Sequence, residues 1–432
     1  MKKIASYALG CKVNQYESEA IAELFAEKGY EVVSVDDKAD VYIINTCTVT
    51  NFGDKKSRQL IRKVKRQNEN AIVAVVGCYA QTAPEELAAV HGVNLVIGTK
   101  DKSKIVELVE DYQAEQGVQN YVTDIMHERV FEPLEIKKLA NRTRAYLKIQ
   151  DGCSQFCSYC IIPYARGPIR SRQPEDVIAE VKRLAENGFK EVVLTGIHVA
   201  SYGKDLKTIT LTDIIRQVHE VEGIERIRFS SIEPNVVTEE FAAAMAELPK
   251  VCDHFHLSLQ SGCDKTLKEM NRKYDTEKYR QAAALLRKYL PDVAITTDII
   301  VGFPGETEED YQASRAFAEE IGFSKIHVFP YSPKKGTPAA ARKDQLQNAV
   351  KQARSHDLIT VSDRMTDAFL QKHVGKVMPV LFERCIGDDV YEGHTTNYMK
   401  VHARSTKDLS NVIADTKILS VAEEMAFGEV EA

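Results

Sequence analysis

Two successive series of short apolar runs that alternate with helical patterns constrain the fold of this chain most strongly. Such a βαβ rhythm indicates parallel strands, because parallel neighbours need crossover connections. The first series predicts an N-terminal parallel α/β sheet domain over residues 2–114. Its strand-like runs are 4–9, 41–44, 72–76 and 95–97, and its helical patterns are 19–28, 55–66 and 84–90.

The second series predicts a central domain over residues 139–367. Six β/α units indicate a partial (β/α)6 barrel, whose active site is expected at the carboxyl ends of the strands. The strand-like runs are 145–149, 191–194, 226–230, 254–259, 294–301 and 325–331, and the helical patterns are 174–187, 211–221, 238–248, 278–290 and 308–321.

Two further regions differ in pattern from these series. Residues 115–140 are polar and irregular, which predicts a linker. From about 368 onward, short alternating strands at 377–382, 391–395, 398–401 and 416–421 are separated by turn signals. They predict a small β-barrel over residues 370–432, which is interpreted as an RNA-binding module or as an inert structural cap.

A cysteine triplet directly follows the first strand of the second series. Cys153, Cys157 and Cys160 give the spacing C-x3-C-x2-C, with no fourth cysteine or histidine nearby. A structural zinc site uses four protein ligands, whereas an iron–sulfur cluster held by three thiolates keeps one iron open. The spacing favours reactive metal chemistry, and a zinc site with distant His198 as its fourth ligand is the alternative.

Three more cysteines lie just beyond predicted strands of the first series. They are Cys11, Cys47 and Cys78. Because the carboxyl ends of parallel strands share one edge, the thiols are predicted to converge in a second three-cysteine site. The alternative is that each is a small buried core residue. The remaining cysteines have no matching constellation and are interpreted as structural: Cys252, Cys263 and Cys385.

Polar and glycine-rich segments also follow the later barrel strands, at 195–198, 231–233, 260–262 and 302–307. Each is a weak signal alone, and 302–307 lacks the Lys-Ser/Thr of a phosphate-binding P-loop. Because all of them fall on the same predicted face as the triplet, they predict a cofactor pocket there.

The charge distribution bears on partners and location. A net charge of -6 argues against indiscriminate nucleic-acid binding, and no stretch approaches the roughly 20 apolar residues needed to span a bilayer. The apolar run before Cys11 is too short for a secretory signal. A soluble, cytoplasmic protein without a membrane partner is therefore expected. Three local groups of basic residues are interpreted either as phosphate-binding surfaces or as solvated faces. They are Lys55, Lys56, Arg58, Arg62, Lys63, Lys65 and Arg66; Lys137, Lys138, Arg142, Arg144 and Lys148; and Arg166, Arg170 and Arg172.

The motifs resemble a known family. Cys153-x3-Cys157-x2-Cys160, with Tyr159 before the last thiol, resembles the signature of radical S-adenosylmethionine enzymes. The segments 9–14, 45–50 and 77–81 resemble the three blocks of the methylthiotransferase N-terminal domain, and the C-terminal module is similar to a TRAM domain. Together these resemblances cover essentially the whole chain and identify it as a member of the radical S-adenosylmethionine methylthiotransferases.

Finer motifs resemble one branch of that family. Segments 9–15, 54–58 and 195–198 are similar to bacterial members that modify N6-threonylcarbamoyladenosine at position 37 of tRNA. Relatives that act on isopentenyladenosine carry Gln-Asn where this chain has Ile197-His198. Cys263 departs from the pattern, since related enzymes often have serine there. Same-family alternatives are isopentenyladenosine-37 and an aspartyl residue of a ribosomal protein. A non-catalytic zinc or iron–sulfur nucleic-acid-binding protein is the alternative from another class.

The resemblance implies cofactors, site residues and partners. A 4Fe-4S cluster on Cys153, Cys157 and Cys160 would generate the radical from S-adenosylmethionine, and one on Cys11, Cys47 and Cys78 would hold the transferred sulfur. The implied partners are the tRNA anticodon loop and a low-potential electron donor such as flavodoxin or ferredoxin. Further implied contacts are Gly196 and His198 to the methionine end, Ser231 and Glu233 to the ribose or sulfonium, Thr297, Asp298 and Gly302 to the adenosine, and Gln260 to the substrate.

Overall fold

The N-terminal region is a parallel α/β sheet, as predicted. The computed structural model describes residues 1–136 and 143–431. The strands are β1 (Lys3–Ala8), β2 (Glu31–Val32), β3 (Val41–Thr46), β4 (Ile72–Gly77), β5 (Leu95–Val96) and β6 (Gln119–Asn120), and the helices are α1 (Lys12–Glu27), α2 (Asn51–Gln67), α3 (Cys78–Thr82), α4 (Pro84–Ala88) and α5 (Ile105–Glu110). They form one sheet in the order β2-β1-β3-β4-β5-β6.

Helices cover both faces of this sheet. The central strand β3 is buried along its whole length, which explains its continuous apolar sequence. Ile21 and Phe25 of α1 pack on one face, and Ile61 and Val64 of α2 pack on the other. The segment that the sequence predicts as a linker contributes β6, which pairs in parallel with β5.

The central region is the predicted partial barrel. Its strands are β7 (Arg144–Asp151), β8 (Arg170–Ser171), β9 (Glu191–Gly196), β10 (Arg226–Phe229), β11 (His254–His256), β12 (Ala294–Val301) and β13 (Lys325–Pro330), and its helices are α6 (Ile162–Arg166), α7 (Pro174–Glu186), α8 (Leu211–His219), α9 (Glu239–Ala246), α10 (Asp264–Glu269), α11 (Thr276–Tyr289) and α12 (Glu308–Ile321). Sheets β10-β9-β7-β8 and β11-β12-β13 are joined by parallel bridges from Ile227 to Val251 and from Ile232 to Leu257. Apart from β8, which pairs antiparallel with β7, the strands are parallel.

A closed β-barrel ends the chain, again as predicted. It follows the long helix α13 (Asn348–Gln371), whose Leu358 and Val361 enter the core of the central barrel. Its strands are β14 (Val377–Gly387), β15 (Val390–Thr395), β16 (Lys400–Arg404), β17 (Val412–Ala422) and β18 (Met425–Val430), closed in the order β14-β15-β16-β18-β17.

The three regions pack into one molecule through identifiable contacts. Tyr16 and Ala20 of α1 lie in the hydrophobic core of the central barrel. Arg226 donates hydrogen bonds to the carbonyls of His394 and Pro379 in the C-terminal barrel, both at 2.8 Å. Among residues 1–136 and 143–431, none of the helices has both the length and the apolar character that crossing a bilayer requires.

Candidate active site

The three N-terminal cysteines meet at one edge of the parallel sheet. Cys11 lies between β1 and α1, Cys47 follows β3, and Cys78 begins α3 directly after β4. Burial raises the pKa of Cys47 to about 12, and the nearby thiols of Cys78 and Cys11 add to that rise. A charged thiolate at one position would disfavour charge at its neighbours, as expected for thiols that lie close together at the ends of parallel strands.

Two motif side chains bind the cysteine loops to one another. Asn14 donates hydrogen bonds to the carbonyls of Leu9 at 2.8 Å and Thr46 at 3.0 Å. The hydroxyl of Thr46 donates in turn to the carbonyl of Val76 at 2.7 Å. These hydrogen bonds fix the residues just before Cys11, Cys47 and Cys78 relative to each other. The polar residues of these motifs therefore have a structural role.

Glycine is required immediately before two of these cysteines. Gly10 has a φ of +98°, and a Cβ there would lie 2.5 Å from the Cβ of Cys47. Gly77 has a φ of +95°, and a Cβ there would lie 2.3 Å from the Asn45 Oδ1 and 2.7 Å from the Thr46 carbonyl oxygen. Only a residue without a side chain permits this left-handed backbone and this close approach.

The central triplet occupies a loop at the carboxyl end of β7. The Cys153 amide donates to the carbonyl of Gly167 at 3.0 Å, and the Cys160 amide donates to the carbonyl of Cys157 at 2.9 Å. Burial raises the pKa of Cys153 to about 11 and that of Cys160 to about 12, and the Cys157 thiol contributes to both. The Ser158 amide docks the loop on the carbonyl of Met270 at 3.0 Å, at the end of α10.

A buried arginine and glutamate stand beside this triplet. Arg272 donates from Nη1 to the Cys157 Sγ at 3.2 Å, and its Nη2 lies 2.9 Å from the Glu233 Oε1. The other oxygen of Glu233 lies 3.3 Å from the His198 Nε2. Burial alone would raise the pKa of Glu233, but His198 and Arg272 outweigh it and lower that pKa. The second ring nitrogen of His198 contacts the Ser201 hydroxyl at 2.6 Å, so both nitrogens face protein partners other than the thiols.

The structure gives several other predicted site residues local partners. The backbone of Gly196 lies against Gln150, whose side-chain oxygen accepts the His198 amide at 2.7 Å. Thr297 is fully buried, and its hydroxyl donates to the carbonyl of Leu257 at 2.7 Å. Gly302 has a φ of +71° and packs against Lys351 of α13. In this structure, all of these contacts organise the loops around the mouth of the barrel.

Two cavities open beside the central barrel. The smaller, about 250 Å³, is lined by Cys160, by Gln260 and Asp298 of the barrel, and by Val49 and Thr50, which follow Cys47. Gln260 has a φ of +72°, a strained backbone conformation that functional sites often carry. The larger cavity, about 700 Å³, includes Asp298, Ser231 and Lys12. The smaller cavity therefore adjoins segments from both cysteine sets. The larger one adjoins only the N-terminal set, through Lys12 beside Cys11, and is otherwise lined by the central and C-terminal barrels.

A buried ion-pair network underlies the N-terminal cysteines. Arg166, at the end of α6, donates from Nε to the Cys78 Sγ at 3.2 Å and from Nη1 to the Glu17 Oε1 at 2.6 Å. Burial alone would raise the pKa of Glu17, but Arg166 and two lysines hold it well below its usual range. The ion pairs within this network link four cations to three carboxylates: Lys102, Lys148, Arg166 and Arg170 with Glu17, Glu132 and Asp151.

Ion pairs correct the interpretation of the Arg166 group as a phosphate site or a solvated face, and within the second basic group they engage Arg144 and Lys148. Arg166, Arg170 and Arg172 are all buried, and each is paired with a carboxylate. Lys148 is buried as well, and Arg144 pairs with Glu383 at 2.9 Å. Lys137, Lys138 and Arg142 lie outside the described residues. The basic residues of α2 remain mostly exposed: Lys55, Lys56, Arg62, Lys63 and Arg66.

Sequence reasoning missed Arg166, Arg272 and Glu17 as parts of the site. Charge alone groups Arg166 with its basic neighbours, and Arg272 and Glu17 lie in unremarkable loop and helical sequence. Their contacts reach across 88, 115 and 149 positions of the chain. Spacing therefore carries no signal for them. The remaining cysteines lie apart from both sets, with Cys252 buried, Cys263 beside Asp310 and Cys385 exposed.

Comparisons with known proteins agree with this architecture. Residues 147–318 match the Radical SAM superfamily, and residues 3–98 match the uncharacterized protein family UPF0004. The structure of the radical S-adenosylmethionine methyltransferase TsrM from Kitasatospora setae has a similar fold, with a TM-score of 0.57 at 16% identity, covering 79% of this chain and 77% of that one. The fold and the cysteine loop therefore define a radical S-adenosylmethionine protein.

Named relatives identify the family to which the chain belongs within this class. A threonylcarbamoyladenosine tRNA methylthiotransferase from Bacillus subtilis is 45% identical over 97% of this chain and 94% of its own length. A protein of the same name from Thermotoga maritima is 35% identical over the full length of both chains. A tRNA-2-methylthio-N(6)-dimethylallyladenosine synthase from Thermoanaerobacter sp. is 37% identical over 98% and 91%. The chain belongs to the radical S-adenosylmethionine methylthiotransferase family.

The residues present fit the cofactors of that family, S-adenosylmethionine and 4Fe-4S clusters. Among the described residues, no three or more histidine, cysteine or carboxylate side chains form a site for a single metal ion. The ion-pair network joins four cations to three carboxylates, and one of the cations, Arg166, contacts Cys78. Buried charge requires a partner, and a thiolate-bound iron–sulfur cluster supplies negative charge at that point. The donor set and its electrostatics therefore suit a cluster.

Proposed function

We propose that this chain is a tRNA-modifying enzyme that inserts a methylthio group at C2 of N6-threonylcarbamoyladenosine at position 37 of the anticodon loop. The observation that carries the proposal is the cavity of about 250 Å³ that touches Cys160 on one side and the residues following Cys47 on the other. A base placed there would lie between Cys160 and the segment that follows Cys47. The names of the relatives from Bacillus subtilis and Thermotoga maritima support the substrate.

The two cysteine sets would have separate duties. Cys153, Cys157 and Cys160 would hold one 4Fe-4S cluster and S-adenosylmethionine, and Cys11, Cys47 and Cys78 would hold a second cluster. When bound, these groups supply one-electron chemistry at an unactivated carbon–hydrogen bond together with the sulfur to be transferred. The protein's own residues bind and orient the reactants and line the cavity with apolar surface from Ile161 and Phe329.

Barrel residues would orient the cofactor and the base. Gly196, His198 and Glu233 lie on the Arg272 side of the triplet, and Gln260 and Asp298 line the cavity. Ser231, Thr297 and Gly302 complete the proposed cofactor contacts. The anticodon loop must present an unstacked adenine to reach the cavity. A low-potential donor such as flavodoxin or ferredoxin would deliver electrons, and the reaction would take place in the cytoplasm.

Nucleoside mass spectrometry of tRNA tests this function. Cells that lack the chain should accumulate N6-threonylcarbamoyladenosine and lose its 2-methylthio derivative, and the wild-type chain should restore the derivative. Variants with either cysteine set replaced by alanine should fail to restore it. Loss of the methylthio group from isopentenyladenosine instead would favour the alternative tRNA substrate, which the name of the Thermoanaerobacter relative supports. Unchanged tRNA together with loss of methylthiolation of a ribosomal protein would exclude both.

A further inference from the structure

Each cysteine set has one buried arginine whose guanidinium contacts one of its sulfurs. Arg166 donates from Nε to the Cys78 Sγ at 3.2 Å, and Arg272 donates from Nη1 to the Cys157 Sγ at 3.2 Å. The two contacts are alike although the arginines come from different places. Arg166 extends from the central barrel to the N-terminal domain, whereas Arg272 lies in the same barrel as its cysteine.

The remaining nitrogens of both arginines are held by other groups. In Arg166, Nη1 contacts Glu17 at 2.6 Å and Nη2 contacts the Asn14 Oδ1 at 2.7 Å. In Arg272, Nη2 contacts Glu233 at 2.9 Å and Nε donates to the Tyr274 hydroxyl at 2.8 Å. Each guanidinium thus pairs with a carboxylate as well as contacting its sulfur, so turning away from the sulfur would disturb an ion pair.

We propose that Arg166 and Arg272 are positioning residues that set the reduction potentials of the N-terminal and the central cluster, respectively. This inference rests on the proposed function, which assigns a cluster to each cysteine set. Reduction adds one electron from a low-potential donor to a cluster and breaks no bond, so the cluster becomes more negative by one charge. A permanently charged N–H donor at a ligand sulfur stabilises that reduced form and raises the potential.

The contact with a single sulfur gives each arginine a local effect. The two arginines contact different cysteines in different domains, so removing one should change one potential and leave the other unchanged. Arg166 also carries part of the buried Glu17 network, whereas Arg272 does not contact it. A general loss of stability would alter both clusters together. It would not change the reduction potential of one cluster alone.

Potentiometric titration of the reconstituted full-length enzyme, followed by electron paramagnetic resonance, tests the proposal. The central cluster is isolated by replacing Cys11, Cys47 and Cys78 with alanine, and the N-terminal cluster by replacing Cys153, Cys157 and Cys160. In the first background, Arg272→Gln should lower the ratio of reduced to oxidised cluster at fixed potential about tenfold, a shift of about 59 mV to more negative potential. Arg166→Gln should produce no shift there. In the second background the two results should exchange.

Other outcomes distinguish a failure of this inference from a failure of the proposed function. Potentials unchanged by both substitutions, at full iron content, would overturn the inference and leave the proposed function intact. Arg272→Lys and Arg166→Lys keep the charge and should give smaller shifts than glutamine. A cluster that assembles in neither the lysine nor the glutamine variant would assign the arginine to assembly, which also overturns the inference. A wild-type chain that loads no iron would instead remove the proposed function.

Discussion

At the residue scale, the cysteine motifs are explained by close backbone contacts as well as by ligand chemistry. Gly10 and Gly77 each precede a cysteine and adopt a left-handed φ, and each lies against a neighbouring cysteine loop. Asn14 and Thr46 bind these loops through backbone carbonyls. The motif residues around the thiols therefore fix where the sulfurs stand.

Gly77→Ala is expected to disrupt the N-terminal cysteine set selectively. The new Cβ would meet the Thr46 carbonyl oxygen at 2.7 Å, so the Cys78 loop must shift. The matched control is Gly29→Ala, because Gly29 also has a positive φ, +84°, but nothing lies within 4 Å of a Cβ there. Both variants bear backbone strain of about 1–2 kcal/mol. Iron analysis after reconstitution should show a loss of roughly half the iron in Gly77→Ala alone, and full iron in that variant would contradict this account.

The sequence predicts the thiols but not the charged groups beside them. Strand-end placement brings Cys11, Cys47 and Cys78 together, since parallel strands share an edge. Arg166 and Arg272 reach their sulfurs through tertiary packing, and no local pattern encodes such a contact. The sequence leaves the basic group around Arg166 as either a phosphate site or a solvated face, yet Arg166 is buried and buried Glu17 and Asp151 take up its charge.

At the element scale, α1 links the two large domains. It begins directly after Cys11, and its Glu17 lies fully buried against cations from the central barrel, Lys148 at 2.8 Å and Arg166 at 2.6 Å. Tyr16, one residue earlier, enters the barrel core. Helix α1 therefore begins beside one of the cysteines and also contributes contacts between the two domains.

Glu17→Gln should destabilise the protein strongly, because it leaves buried cations without their carboxylate. We expect a loss of about 3–5 kcal/mol at pH 7. Glu31→Gln is the control, since Glu31 pairs with Lys3 at the surface at 3.7 Å and such pairs contribute about 0–1 kcal/mol.

The pKa of Glu17 is lowered in the folded chain, so the stabilisation that Glu17 provides is complete above the ordinary carboxyl pKa and is lost as the pH falls through the lowered value. Chemical denaturation at several pH values measures this, and equal effects of the two substitutions would refute it.

Helix α13 and strand β18 are among the elements that the sequence patterns do not predict, for different physical reasons. Helix α13 spans 24 residues, and its buried positions include polar and charged residues such as Lys351 and Arg354, so its apolar periodicity is weak. Strand β18 follows a turn at Glu423 and Glu424, both with positive φ. Such turns usually carry Asn or Gly, so this one lacks the common sequence signal.

At the scale of the whole molecule, the C-terminal barrel is fastened to the central barrel by aromatic and cationic groups. The ring of Tyr398 stacks on His254 at 4.8 Å and on His394 at 4.9 Å, and the Arg228 guanidinium lies 4.6 Å from its centroid. Arg228 also donates to the carbonyl of Thr396 at 3.0 Å. This contact holds the C-terminal barrel beside the larger cavity, which Tyr398 helps to line.

Tyr398→Ala should loosen this docking. Loss of the stacked ring and its cation–π contact removes about 1–2 kcal/mol from the interface. Limited proteolysis should then cut the connection at residues 372–376 faster than in the wild-type chain. Phe427→Ala is the matched control, because Phe427 is similarly exposed but packs on His402 within the C-terminal barrel. Equal cleavage rates in the two variants would show that Tyr398 does not secure the interface.

Metal analysis with Mössbauer spectroscopy measures whether the two separate three-cysteine sites each hold a cluster. The reconstituted wild-type chain should contain about eight iron atoms, and each triple-alanine variant, of Cys11, Cys47 and Cys78 or of Cys153, Cys157 and Cys160, should retain about four as a single 4Fe-4S cluster. One zinc per chain, or loss of all iron on replacement of either set alone, would contradict the account.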